Sequence, residues 1–256
     1  MKKAIVSALI ISFAIVGLMA YGFKAGNGRV ISQNRPVSGF HALDITGAAS
    51  VTVRQSSTYS CIVSLDENLQ DQFETVVRNG VLHVGFRPGT SVSRVSTIKV
   101  DISMPSVDSI HGSGAVNVSL GRGFSGKSLD LNFSGSSDFS ADTNQDFLGL
   151  NASGASHLKL NGNFKEINAE ISGASSFSLS GKTSLLSARV NGGSKIDAWG
   201  LSSDSVKLQV SGASSIDLGT VARVIKASLS GASQVRYDGN PTVDSDSSGA
   251  SSIKHR

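Results

Sequence analysis

Residues 151–177 read NASGASHLKLNGNFKEINAEISGASSF and carry two copies of the feature that organises the chain. Each copy is a Gly-centred turn, Ser153-Gly154-Ala155-Ser156 and Ser172-Gly173-Ala174-Ser175. Between the turns, apolar side chains alternate with polar ones. Leu158 and Leu160 follow the first glycine, and Ile167, Ala169 and Ile171 lead into the second. Successive side chains of an extended chain point to opposite faces, so this alternation predicts strands with one buried side. Working outward, the same turn recurs around Gly47, Gly114, Gly135, Gly192, Gly212, Gly231 and Gly249, every 18 to 21 residues from Gly114 onward. A period of this size marks a solenoid, whose repeats cannot bury their apolar faces alone.

The flanks of the other copies agree, as in Leu129, Leu131 and Phe133, or Val206, Leu208 and Val210. Each repeat reads as strand, tight corner, strand and second turn, the last often with its own glycine (Gly162, Gly181, Gly200, Gly239). The expected fold is all-β: a flattened parallel β-helix with two short strands per rung of about 19 residues. Its rungs would stack about 4.8 Å apart, and parallel crossovers favour right-handed coiling. No 3.6-residue periodicity supports helices, and Gly and Ser form helices poorly.

Glycine suits the corner because it accepts positive φ without a Cβ clash. The residue before it is Ser, Thr or Asn in every copy, able to bond turn backbone. Two residues after it, Ser137, Ser156, Ser175, Ser194, Ser214, Ser233 and Ser251 fall on the inward parity. Stacking would gather these hydroxyls into a column. Since a buried hydroxyl without a partner costs about 1–3 kcal/mol, they are expected to bond one another or the corner backbone. The column reads as structural rather than nucleophilic.

Residues 1–23 read as a signal peptide or an N-terminal membrane anchor: Lys2 and Lys3 precede an uncharged apolar run from Ala4 to Phe23. A signal cleaved after Ala20 is the first expectation, and, because the run is long enough to span a bilayer, a retained anchor is the alternative. Residues 24–37 read as a linker and 38–256 as the solenoid domain. Within it, 54–111 form an irregular insert and 112–256 the regular rungs. The insert contains Asn79-Gly80 between apolar runs, a hairpin signal, and lies where a solenoid needs its N-terminal edge covered. At the far end, Ser245 and Ser247 replace apolar residues on the inward parity, which reads as a C-terminal cap. The formal charge of +4 falls to +2 without Lys2 and Lys3 and gives no case for nucleic acid. The lone Cys61 excludes an intramolecular disulfide and reads as a buried small hydrophobe.

The ordered set "DITGAASVTV", "DENLQDQFETVVRNGVLHV", "ISMPSVDSIHGSG", the "SGASS" rungs, "YDGNP" and a closing "SGASSIKH" resembles the GIN domain, the autotransporter-adhesin head domain of exported bacterial proteins. The resemblance covers roughly residues 38–256. It implies a β-helical fold, an envelope or surface location in a Gram-negative bacterium, and an adhesion role, with no catalytic residues to carry over. An autotransporter carries a C-terminal membrane β-barrel, and the sequence stops after its last rung, so export by that route is not expected.

Catalytic constellations on β-helices draw residues from adjacent rungs. Three positions after the corner glycine, the outward column Asp138, His157, Ser176 and Lys195 brings Asp, His and Ser together, superficially like a hydrolase. A solvated strand face without a cleft or oxyanion hole is the simpler reading. The remaining histidines, His41, His83, His111 and His255, lack metal-ligand spacing, and no calcium-binding array is present, so no metal or cofactor is expected. Trp199, in a second turn, is a packing residue or a sugar-stacking ligand contact. The functional expectation is a non-catalytic envelope module that binds glycan or an envelope protein through a polar face. A purely structural protein is the alternative and a polysaccharide-active enzyme the third reading. Membrane contact is expected only through residues 1–23 if uncleaved, and oligomeric state is left open.

Overall fold

The computed structural model describes residues 23–256, so the signal or anchor reading falls, but for Phe23, outside the described residues. All nine corner glycines adopt positive φ, between 71° and 101°. Crowding adds a second requirement. A Cβ on Gly173 (φ 79°) would stand 2.5 Å from the carbonyl oxygen of Gly154 in the preceding rung. The corners stack backbone on backbone, and the Ala174 N–H donates to that same carbonyl at 2.8 Å.

The chain enters through β1 (Lys24–Ala25) and β2 (Val30–Asn34), then forms a first rung from β3 (Ala42–Gly47) and β4 (Ser50–Gln55). It leaves the stack for β5 (Ser60–Asp66), a 3-10 turn (Glu67–Gln72), β6 (Phe73–Arg78), β7 (Val81–Phe86), β8 (Val92–Arg94) and β9 (Ile98–Met104). The stack resumes with β10 (Ser109–Gly114), β11 (Asn117–Leu120), β12 (Ser125–Gly135), β13 (Asp138–Asp142) and β14 (Asn144–Ala152). Four long strands follow: β15 (His157–Ile171), β16 (Ser176–Val190), β17 (Lys195–Val210) and β18 (Ser215–Leu229). The last are β19 (Gln234–Gly239), β20 (Thr242–Ser247) and β21 (Ser252–His255). Together they make a parallel β-solenoid of about 8 turns, with coils of about 19 residues.

The two short strands expected per rung merge in β15–β18 into single strands of 15 or 16 residues. The second turn is a bend inside one ladder, which runs from His157↔Ser176 through Gly162↔Gly181 to Ile171↔Val190. In β15 the inward set passes from Leu158, Leu160 and Phe164 to Ile167, Ala169 and Ile171, so the parity changes just after Phe164. These side chains are almost fully withdrawn from water, as are Phe177, Leu186 and Val190 one rung on. Each such burial of a Leu, Ile, Val or Phe side chain contributes about 1.5–3 kcal/mol, set against the entropy of ordering the strands.

The serine column forms as expected, and its hydroxyls bond the corner backbone. Ser194 Oγ donates toward Asn191 O at 3.1 Å and Gly173 O at 3.2 Å, thereby tying two rungs. Ser214 and Ser233 repeat the pattern.

The insert closes the N-terminal end. β7 lies parallel to β3 and β9 parallel to β4, together imitating a rung beneath the first. Antiparallel strands then end the parallel stack: β6 on β7, β5 on β9, and β2 on β5. Asn79 (φ 52°) and Gly80 (φ 77°) make the hairpin turn between β6 and β7. Residues 24–37, read as linker, instead contribute β1 and β2 to this cap. Buried Asp66 fastens them, accepting from Gly28 N–H at 2.7 Å, Ser96 N–H at 2.7 Å and Ser96 Oγ at 2.9 Å. Cys61 is fully buried, and loss of solvation pushes its thiol up to about 11 although Arg35 opposes the shift. At the other end β20 and β21 pair only backward, onto β18 and β19, and Ser245 and Ser247 face solvent.

Candidate binding trough

The ladder registers decide which outward side chains become neighbours. Asp138, His157, Ser176 and Lys195 do align on successive rungs. His157 Nδ1 lies 3.5 Å from Asp138 Oδ1, with both side chains more than half exposed, over a shallow depression of about 310 Å³. Among the described residues no hydrogen bond joins Ser176 to His157. The column therefore holds a solvated imidazole–carboxylate contact beside a hydroxyl, without a base poised on a nucleophile. No group of three or more His, Cys, Asp or Glu residues among those described has the geometry to hold a metal ion.

Trp199 sits in a β-bulge. Ala198 and Trp199 of β17 together oppose the single residue between Ser178 and Ser180, so Ala198 turns inward and the indole outward, half-exposed. The guanidinium of Arg256 covers the ring at 4.1 Å from its centroid. Arg256 also donates to Asp217 Oδ1 at 3.3 Å, while Arg236 holds both oxygens of the same carboxylate at 2.6 and 2.8 Å. A ligand stacking on that indole face would have to displace Arg256.

A larger feature lies on the strand segment that leads into each corner. Three residues before the glycines, the rungs align His111, Asn132, Asn151, Glu170, Arg189, Gln209, Ser228 and Asp246. One residue before them stands a parallel column of small polar groups that includes Ser153, Ser172, Asn191 and Ser230. Between these columns, depressions of about 630 and 390 Å³ lie end to end and share Arg189 and Asn191, forming one trough from His111 to Ser248. At one rung per 4.8 Å, the eight aligned positions span about 34 Å.

Contacts between rungs fix the lining. Arg189 donates to Glu170 Oε1 at 2.9 Å on one side and to Gln209 Oε1 at 2.9 Å on the other. Asn151 bonds Asn132 at 3.0 Å, and Ser211 bonds Asn191 at 2.6 Å. Lys207 and Lys226 flank the trough on adjacent rungs, followed by Asp244. The trough thus offers alternating donors and acceptors along its length with charges of both signs. It suits hydrogen bonding to a long polar ligand, and among the described residues no nucleophile–base pair lines it. The column after the corner, singled out by the sequence pattern, lies outside the trough; the one before it differs by its Asn, Gln, Glu and Arg content, the signal in the sequence that marks it.

A family model described as "Putative auto-transporter adhesin, head GIN domain" matches residues 39–241. The chain belongs to the GIN-domain family. Solved structures share the fold of this GIN domain. A "putative adhesin" from Parabacteroides merdae superposes with a TM-score of 0.87 at 21% identity, covering 91% of this chain and 99% of its own. A second "putative adhesin", from Parabacteroides distasonis, gives 0.83 at 19% identity with the same coverage. A "putative lipid binding protein" from the same species gives 0.84 at 16%, again with 91% and 99% covered. No curated protein matches this chain.

Proposed function

We propose that this GIN domain is a non-catalytic binding module of the bacterial cell envelope that holds an extended glycan along the trough. The observation that carries the reading is the continuity of the trough across the stack, centred on Arg189 and Asn191. A long chain of hydroxyls can meet hydrogen-bonding groups at every rung. The adhesin-head description of the family supports a binding role. The basic and apolar N-terminal sequence supports export. Exposure of the Asp138–His157 pair, with no cleft to exclude water, speaks against a hydrolase.

Glycan-array and envelope pull-down experiments with wild type, Arg189→Ala/Asn191→Ala and His157→Ala test the proposal. Loss of hydrogen bonds to a charged group, about 1.5–3 kcal/mol, predicts roughly a tenfold or greater fall in affinity for the trough variant. His157→Ala, on the opposite side of the corner, should bind like wild type. Failure of wild type to retain any glycan or envelope component would favour a purely structural role.

A further inference from the structure

The structured state of residues 24–37 changes what lies next to the N-terminal apolar run. That run, Ala4 to Phe23, has about the length of a membrane span. It meets the folded body with no spacer: Phe23 is 72% exposed, and Lys24 already belongs to β1. β1 pairs with β8, with Lys24 opposite Val92 and Ala25 opposite Arg94, and Lys24 N–H donates to Ser91 O at 2.9 Å. The segment joining β7 to β8 adds Arg87. Lys24, Arg87 and Arg94 are exposed, and none has an ion-pair partner among the described residues. Of the nearby carboxylates, Asp66 is buried under its three hydrogen bonds and Glu67 is held by Arg29 at 3.1 Å. Asp71 is exposed. Four of the five exposed large hydrophobics, Phe23, Val30, Tyr59 and Ile62, also fall in this N-terminal part of the fold.

We infer that the β1/β8 end of the cap is a lipid-contacting surface, on which Phe23, Lys24, Arg87 and Arg94 rest against anionic headgroups and from which the stack leads away to the β20–β21 rung. An aromatic ring beside unpaired cations fits the boundary between acyl chains and headgroups. Each Lys or Arg near an anionic surface strengthens association about fivefold. The inference requires the apolar run to be retained, and it is independent of what the trough binds.

The test uses the full chain reconstituted into phosphatidylcholine vesicles, with or without a minority of phosphatidylglycerol. A fluorophore is placed at Ser93→Cys in β8 or at Lys254→Cys in β21, both exposed, and buried Cys61 stays unlabelled. Quenching by headgroup-nitroxide lipid should be strong at position 93, stronger with phosphatidylglycerol, and absent at position 254. Lys24→Glu/Arg87→Glu/Arg94→Glu should reduce quenching at 93 severalfold while circular dichroism stays unchanged. Equal quenching at both positions, or none at 93, would overturn the inference. So would quenching indifferent to the triple variant, or recovery from the exporting cell of a soluble chain that has lost the apolar run. No glycan enters the experiment, so these outcomes leave the trough reading untouched.

Discussion

At a corner, one glycine meets two separate demands, and two substitutions separate them. Gly47 has φ 98° and open space around a built Cβ, because its corner has no neighbour on that side. Gly47→Ala should therefore cost only the left-handed conformation, about 1–2 kcal/mol. Gly173→Ala adds the clash with the Gly154 carbonyl and should cost about 1–3 kcal/mol more. Urea midpoints at constant slope would show the difference; equal losses would mean that corner stacking does not constrain the residue. The serine two positions on has a comparable effect. Ser194→Ala leaves the Asn191 and Gly173 carbonyls without their shared donor and should destabilise by about 1–2 kcal/mol. Exposed Ser153→Ala, in the neighbouring column, should stay within about 0.5 kcal/mol.

At the level of elements, the two ends of the stack rely on buried carboxylates. Asp66 joins the β1–β2 segment and Ser96 to the cap, and its carboxyl is held below the usual range chiefly by the Ser96 backbone N–H. Because the folded pKa is depressed, this stabilisation is complete above the unfolded value of about 3.9. It is lost as pH falls through the folded value. The urea midpoint of wild type should therefore exceed that of Asp66→Asn at neutral pH and approach it in acid; a pH-independent gap would contradict the assignment. At the far end Asp217, 9% exposed, holds Arg236 and Arg256. Asp217→Ala should cost about 2 kcal/mol, less than the 3–5 of a fully buried pair because both arginines reach solvent. Amide exchange should rise in β19–β21 and not in β12–β15. The Gly period, the alternation and Asn79-Gly80 made the rungs and the hairpin legible in the sequence. The pairing of β2 with β5 and of β5 with β9 was not, because alternation identifies a strand but not its partner. Polar Arg29, Ser32 and Asn34 made an edge strand look like linker. The trough was hidden for a related reason: which outward column lines a concavity depends on the bends after Gly162 and Phe164, and polar outward residues look alike on either side of the corner.

For the whole molecule, stacking implies that stability is distributed by rung, each repeat contacting mainly its neighbours. Removing residues 155–173 joins Gly154 directly to Ala174 and deletes one coil of 19 residues with corner identity and inward parity restored at the junction. The shortened chain should fold cooperatively with an unchanged strand signature. Its urea slope, which scales with surface exposed on unfolding, should fall by about one eighth, given about 8 turns. The deletion also removes Glu170, leaving Asn151 beside Arg189 in the trough, so the salt bridge at 2.9 Å is lost while the Gln209 contact remains. Arg189 then has one partner fewer, and a glycan carrying carboxylates should bind the shortened trough more tightly than a neutral one. Deleting residues 155–172 instead shifts every later residue by one position, turning inward Phe177 and Leu179 toward solvent unless a bulge absorbs the slip. Within β15–β18 such absorption is confined to the 20-residue coil of β17, which fits between neighbours of 19 through the bulge at Trp199 and register shifts about Ser203. The out-of-register deletion should therefore lose several kcal/mol relative to the in-register one, and comparable stability of the two would mean that the rungs, rather than the parity of their strands, set the fold.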